Sequence, residues 1–155
     1  MGRIAFVTDS TASLPDDQVK EHKVTVVPLQ VVFGTESFRD GIDLTQEQFF
    51  ERLKAAQSLP TTSQPSVADF EGAYQKLLDD PEVDSIISIH LSSRLPSGTF
   101  SSATQAAERL GANTAKKITV IDSYSAYLGE GLMVVNASRA ASSSKLLSSS
   151  IVTPS

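Results

Sequence analysis

Three short apolar runs, each followed by a hydroxyl-bearing loop and then a helix-like pattern, constrain this chain more than any other feature. They are Ile4-Ala5-Phe6-Val7 before Thr8-Asp9-Ser10-Thr11, Ile86-Ile87-Ser88-Ile89-His90-Leu91 before Ser92-Ser93-Arg94, and Ile118-Thr119-Val120-Ile121 before Asp122-Ser123. β-Branched runs ahead of helical patterns predict parallel strands, and hence an α/β fold: a three-layer α/β/α domain with a mainly parallel sheet. In such sheets ligands bind beyond the carboxyl ends of the strands. Those ends carry Ser, Thr and Asp rather than Cys, Glu or paired His. Such an edge holds a small polar or anionic head group by hydrogen bonds and is not suited to redox or metal chemistry, so neither cofactor nor metal is expected.

At 155 residues, 40% of them hydrophobic, the chain is long enough for one domain with a real core. A net charge of −5 argues against a nucleic-acid partner, which would select a basic face. With no cysteine, disulfides and thiolate metal sites are excluded. The segment Met-Gly-Arg-Ile-Ala lacks the apolar core of a signal peptide and no apolar run approaches ~18 residues, so a cytoplasmic location is expected.

Ser13-Leu14-Pro15-Asp16-Asp17 predicts a helix start with Ser13 as cap, the helix ending near His22 as a surface residue. Val24 to Pro28 predicts a strand. Leu29–Phe33 and Glu36–Phe38 around Gly34 predict a hairpin, running into an Arg39-Asp40-Gly41 turn. Asp43 is expected to cap a helix with Phe49, Phe50, Leu53 and Ala56 buried. Residues 58–66 read as a polar connector. The next helix has Val67, Phe70, Tyr74, Leu77 and Leu78 on one face and is stopped at Asp79-Asp80-Pro81. Ala103, Ala106, Ala107 and Leu110 mark another helix, ended by Gly111. The last is expected from Ser125 to about Ala141, with Leu128, Leu132 and Val135 inward. Residues 1–141 thus form the domain, and 142–155 a low-complexity, serine-rich tail expected to be disordered or frayed.

Ser92 to Ser102 holds five serines and Thr99 around Gly98. A loop opening a helix can bind a carboxylate or phosphate through its N–H groups and hydroxyls. Simple capping needs only one of these residues, and the position beside two similar strand ends favours the binding reading. Asp9 and Asp122, each just past a strand and each before a serine, either cap the succeeding segment or position a ligand; capping is the simpler role. A Ser-His-Asp hydrolase could be drawn from Ser93, His90 and Asp122, but no Gly-x-Ser-x-Gly elbow supports it. No Walker loop or dinucleotide fingerprint is present.

Val7-Thr8-Asp9-Ser10-Thr11-Ala12, Arg39-Asp40-Gly41, Pro60-Thr61-Thr62-Ser63-Gln64-Pro65-Ser66, Ser92-Ser93 with Ser97-Gly98-Thr99, and Val120-Ile121-Asp122-Ser123 occur in this order. The set resembles the DegV family, bacterial fatty-acid-binding proteins that serve a fatty acid kinase, over Ile4 to about Ala141. The resemblance implies a bound long-chain fatty acid such as palmitate, its carboxylate held by Thr62, Ser63 and Ser93, with Asp9, Ser10, Ser92 and Asp122 behind them. It implies a carrier rather than a catalyst, with the fatty acid and the kinase as its partners. Neutral hydroxyls near a helix N-terminus suit a head group that must be surrendered.

Two departures stand out. Pro96 is an extra residue where the family runs from Leu directly into Ser-Gly-Thr, which alters the expected loop path. The family continues into a second domain, and nothing here can be assigned to it. A face left uncovered in this way would favour self-association. A serine-dependent hydrolase and a non-binding remnant acting as an interaction module stay open as alternatives.

Overall fold

The computed structural model describes residues 2–150. Four strands, β1 (Arg3–Asp9), β2 (Thr25–Val27), β6 (Val83–His90) and β7 (Lys117–Asp122), form a parallel sheet in the order β2-β1-β6-β7. A second, antiparallel sheet is built from β3 (Gln30–Phe33), β4 (Glu36–Arg39) and β5 (Thr61–Ser63), in the order β4-β3-β5. The helices are α1 (Asp16–Glu21), α2 (Gln46–Ala55), α3 (Val67–Leu78), α4 (Thr99–Gly111) and α5 (Leu128–Ser150).

The pleat of the parallel strands sorts the core into two halves, because alternate side chains point to opposite faces. Ala5 and Val7 of β1 join Ile86 of β6 under Phe70 and Tyr74 of α3 and Ala103 and Ala106 of α4. Phe6 and Ile89 point the other way, against Val134 of α5. This is the expected three-layer arrangement, with α3 and α4 on one face and α5 on the other. The hairpin forms around Gly34, whose φ of 62° needs no Cβ.

Local differences have simple causes. Pro15, not Ser13, caps α1; Ser13 instead ends a 3-10 turn, Ser10–Ala12, in the left-handed region. His22 is half-buried, its Nδ1 3.1 Å from Ser138 Oγ on α5, rather than a surface residue. Asp43 does not cap α2: it is drawn to Arg39, 2.9 Å from the guanidinium, and Thr45 with Gln48 forms a capping box instead. None of the residues of α2 is buried, and Phe50 is half exposed, because only the small sheet lies beneath. The connector contains β5, which adds an edge to that sheet opposite Val31.

The inward face of α5 is rotated from the expected stripe. Glu130, Val134, Val135 and Ser138 are buried, while Leu128 and Leu132 are exposed. Gly131 explains the rotation: it brings α5 against the 3-10 turn, where an added Cβ would lie 2.6 Å from the Ala12 carbonyl oxygen. The helix also continues through Ser150, so 142–150 are helical rather than frayed; 151–155 lie outside the described residues. Among the described residues no helix is long and apolar enough to cross a membrane.

Two glycines should respond oppositely to alanine. Gly131→Ala drives a methyl into backbone and should cost about 1–3 kcal/mol. Gly72 is exposed on α3 with open space at its Cβ position, and Gly72→Ala should gain about 0.4–1 kcal/mol. Urea denaturation followed by circular dichroism distinguishes the two; equal effects would contradict the packing described for α5.

Candidate functional site

The carboxyl ends of β1, β6 and β7 lie side by side, fixed by strand register: Val7 pairs with Ser88 and His90 with Asp122. Beneath this edge is a buried polar network centred on Asp9. Its Oδ2 accepts from His90 Nδ1 at 2.9 Å and from the Leu91 N–H at 3.1 Å. Its Oδ1 accepts from the Thr11 N–H at 3.0 Å and from the Thr11 hydroxyl. Burial alone would raise the Asp9 carboxyl, but the donors around it, His90 first, hold it below the usual carboxylate range.

On the far side of His90, Nε2 meets the Ser88 hydroxyl, which in turn is 2.7 Å from Tyr74 Oη. Burial pushes the Tyr74 phenol up, so it keeps its proton and donates. The chain of donors therefore runs from Tyr74 to Ser88 to His90 to Asp9. Ser88 was missed by sequence reasoning, although the signal was present: Ser88 and His90, two apart on a strand, share one face.

This connectivity is that of a Ser-His-Asp triad, but built from Ser88, His90 and Asp9 rather than Ser93, His90 and Asp122. Ser93 has no histidine beside it; its hydroxyl is on Asp122. Ser88, His90 and Asp9 are all 0% exposed, so no substrate carbonyl can approach Ser88 Oγ. The Ser93-His90-Asp122 arrangement weighed as an alternative is therefore not formed, and His90 belongs to a buried network instead.

Glu130 closes the network from α5. Its Oε2 is 2.7 Å from the Thr11 hydroxyl and its Oε1 3.2 Å from that of Thr8. Thr11 has one hydroxyl proton but lies between two carboxyl groups, so one of them must supply a proton. That group is Glu130, which burial and then the nearby Asp9 charge push up to about 9. Asp9, His90 and Glu130 each offer one potential metal-ligand atom, all within 4.8 Å of one another. These side chains are hydrogen-bonded among themselves and to Thr11.

Two clefts open above. The larger, about 770 Å³, lies between the 3-10 turn and α1 on one side and the small sheet and α2 on the other. Its wall is largely apolar, with Leu14, Val26, Val31, Leu44 and Phe49, and Asp9 and Ser10 at one end. The smaller, about 230 Å³, is lined by Thr11, Ser63, Leu95, Ser97 and Tyr127 among others. Thr62 lines both. Of the expected residues, Thr62 and Ser63 are exposed at these clefts on β5. Ser93 is exposed on the loop after β6, bound to Asp122, and is not among the residues lining either cleft. Ser10 Oγ accepts from the Leu29 N–H at 3.0 Å, and the buried Ser92 accepts from the Arg94 N–H, so both brace their loops.

The raised Glu130 sets a pH dependence. A carboxyl held protonated in the fold but not in the unfolded chain contributes stability that is complete below the ordinary value of 4.5 and is lost as pH rises toward about 9. The urea midpoint should fall across that window. In Glu130→Gln, which cannot ionise, this fall should be largely removed; parallel curves for the two proteins would mean that Glu130 is already charged in the fold.

A family model described as "Uncharacterised protein, DegV family" matches residues 3–151. A DegV domain-containing protein of Deinococcus radiodurans is 40% identical over 134 residues, covering 86% of this chain and 45% of the relative. The crystal structure of DegV, a fatty acid binding protein from Bacillus subtilis, superposes with a TM-score of 0.78 at 39% identity, over 90% of this chain and 47% of that one. A fatty-acid-binding DegV family protein from Thermus thermophilus gives 0.76 at 39% identity, over 88% and 46%. The chain spans about half the length of the relatives it matches. On the family match over nearly its whole length, this chain belongs to the DegV family.

Proposed function

We propose that this chain binds a long-chain fatty acid such as palmitate and presents its carboxylate to a fatty acid kinase, without being the catalyst itself. The carboxylate is held by the hydroxyls of Thr62 and Ser63 on β5 and of Ser93 on the adjoining loop. The acyl chain runs along the apolar wall of the larger cleft.

The observation that carries this reading is the place of Thr62, where a hydroxyl-lined cleft meets an apolar one. An amphiphile with one anionic end needs that junction. The volume of the larger cleft falls in the range of small-molecule sites, roughly 300–1,000 Å³. The fatty-acid binding of the 39%-identical relatives supports the same ligand class.

Energetics explain why a second surface is needed. Burying a ~16-carbon chain gains about 0.8 kcal/mol per CH₂, on the order of 12 kcal/mol gross, from which ordering costs several. A cleft open along one side forfeits part of that gain. Tyr127 on the rim of the smaller cleft, with Leu128 and Leu132 on α5, forms an exposed apolar face. A protein that covers this face, whether the kinase or a second copy of the chain, would shield the smaller, head-group cleft from water.

Mass spectrometry of solvent extracts from the purified protein should find fatty acid, and titration with a fluorescent fatty acid should be saturable. Thr62→Ala should weaken binding by about 1.5–3 kcal/mol, the range for a hydrogen bond to a charged group. Unchanged affinity would put the carboxylate elsewhere, and ester turnover by the purified chain would overturn the carrier reading.

A further inference from the structure

We infer that Asp122 is an internal competitor for the ligand head group, occupying at Ser93 the donors that a fatty-acid carboxylate would use. The inference rests on the fatty-acid reading above and specifies how its Ser93 half is regulated.

Serine offers one hydroxyl proton and one backbone N–H. At Ser93 both point at Asp122. The N–H lies 3.2 and 3.3 Å from the two carboxylate oxygens, and the hydroxyl contacts Oδ2. The Tyr124 N–H, 2.9 Å from Oδ1, completes a three-donor cradle around one carboxylate. This is the donor set of an anion site, and it holds an anion of the chain itself.

The arrangement is built in by the fold. Asp122 ends β7 in register with His90, and the Ser93 loop leaves β6 just beyond. The chain turns at Ser123, so that the Tyr124 N–H two residues on faces back to Asp122. Partial burial would raise the Asp122 carboxyl, but Ser93 and Tyr124 hold it below the usual range, so it is charged at neutral pH. A second carboxylate brought to Ser93 therefore meets no free donor and a like charge. Binding there requires Asp122 to release Ser93. The Arg94 charge acts on Asp122, and its guanidinium lies 5.2 Å from the Tyr124 ring centroid. It offers Asp122 an alternative partner while Ser93 turns to the ligand.

The exchange makes the Ser93 half of the site conditional. Thr62 and Ser63 face their clefts without such a competitor among the described residues and engage the head group first; Ser93 joins only when Asp122 yields.

The test is titration of the full chain with cis-parinaric acid at pH 7, comparing wild type, Asp122→Asn, Asp122→Ala and Ser93→Ala/Asp122→Asn. Removing the charge should tighten binding at least about tenfold, the lower end of what a hydrogen bond to a charged group is worth. Adding Ser93→Ala should abolish that gain. Circular dichroism melts confirm that the variants fold, and two replacements at Asp122 guard against loss of one. Equal or weaker binding by both folded Asp122 variants would overturn the inference, making Asp122 a brace that aims Ser93 at the ligand. Binding by Asp122→Asn but not by wild type would uphold the competitor and overturn the carrier reading for the resting chain. No binding by any variant would overturn both.

Discussion

A single buried carboxylate holds the functional edge of this molecule together. Asp9 ends β1, an inner strand of the sheet, and its two oxygens accept from the imidazole of His90 on β6, from the Leu91 N–H just beyond it and from the adjoining 3-10 turn. An unpartnered buried charge would be costly, and four donors remove that cost. Through Thr11 the same carboxylate reaches the neutral Glu130, and so fixes α5 over the sheet. The end of β1, the end of β6 and the start of α5 are thereby locked as one unit, and the loop that carries Ser93 departs from it.

The edge uses similar chemistry at two depths. Thr8, Ser88 and Thr11 satisfy buried polar groups, whereas Thr62, Ser63 and Ser93 reach solvent. Residue type does not separate the two sets; burial does. Ser88 illustrates the point, since its contacts on His90 would be catalytic at a surface and are inert beneath Tyr74. On the proposed reading the depth difference would also divide labour: the inner layer sets positions, and the outer layer would exchange its partners for a ligand.

Much of the fold was legible in the sequence because periodicity survives folding. The three β-branched runs became β1, β6 and β7, and the helical stripes of α3 and α4 became one half of the core. Errors came where one local rule met a stronger competing partner. Asp43 abandoned the cap for Arg39, and Leu128 and Leu132 lost the inward face of α5 to Glu130 and Val134 once Gly131 fixed the approach. The three-strand edge was readable from local pattern, but its wiring was not. Glu130 lies 119 residues along the chain from Thr11, and nothing in the short segment around it announces a buried acid. Asp122 was legible as a strand-end residue, yet its hold on Ser93 depends on the register between β6 and β7, which no single segment encodes.

The two walls of the larger cleft differ in how firmly they are held. One wall is the 3-10 turn, anchored through Thr11 to Asp9 and Glu130. The other is the small antiparallel sheet with α2, a helix that buries none of its residues and meets the sheet through Phe49 against Phe33, 5.9 Å apart, and through Arg52 on Glu36 and over the Phe38 ring. Segments with few buried apolar contacts open at low free-energy cost. On the fatty-acid reading proposed above, the second wall would be the side that yields to an acyl chain, and burial of that chain against Phe49 would supply contacts α2 otherwise lacks. Thr62 belongs to this yielding wall through β5, while Ser93 belongs to the locked edge. A head group spanning both would couple the order of the loose sheet to the release of Asp122, so that closing the cleft and completing the anion site become one event.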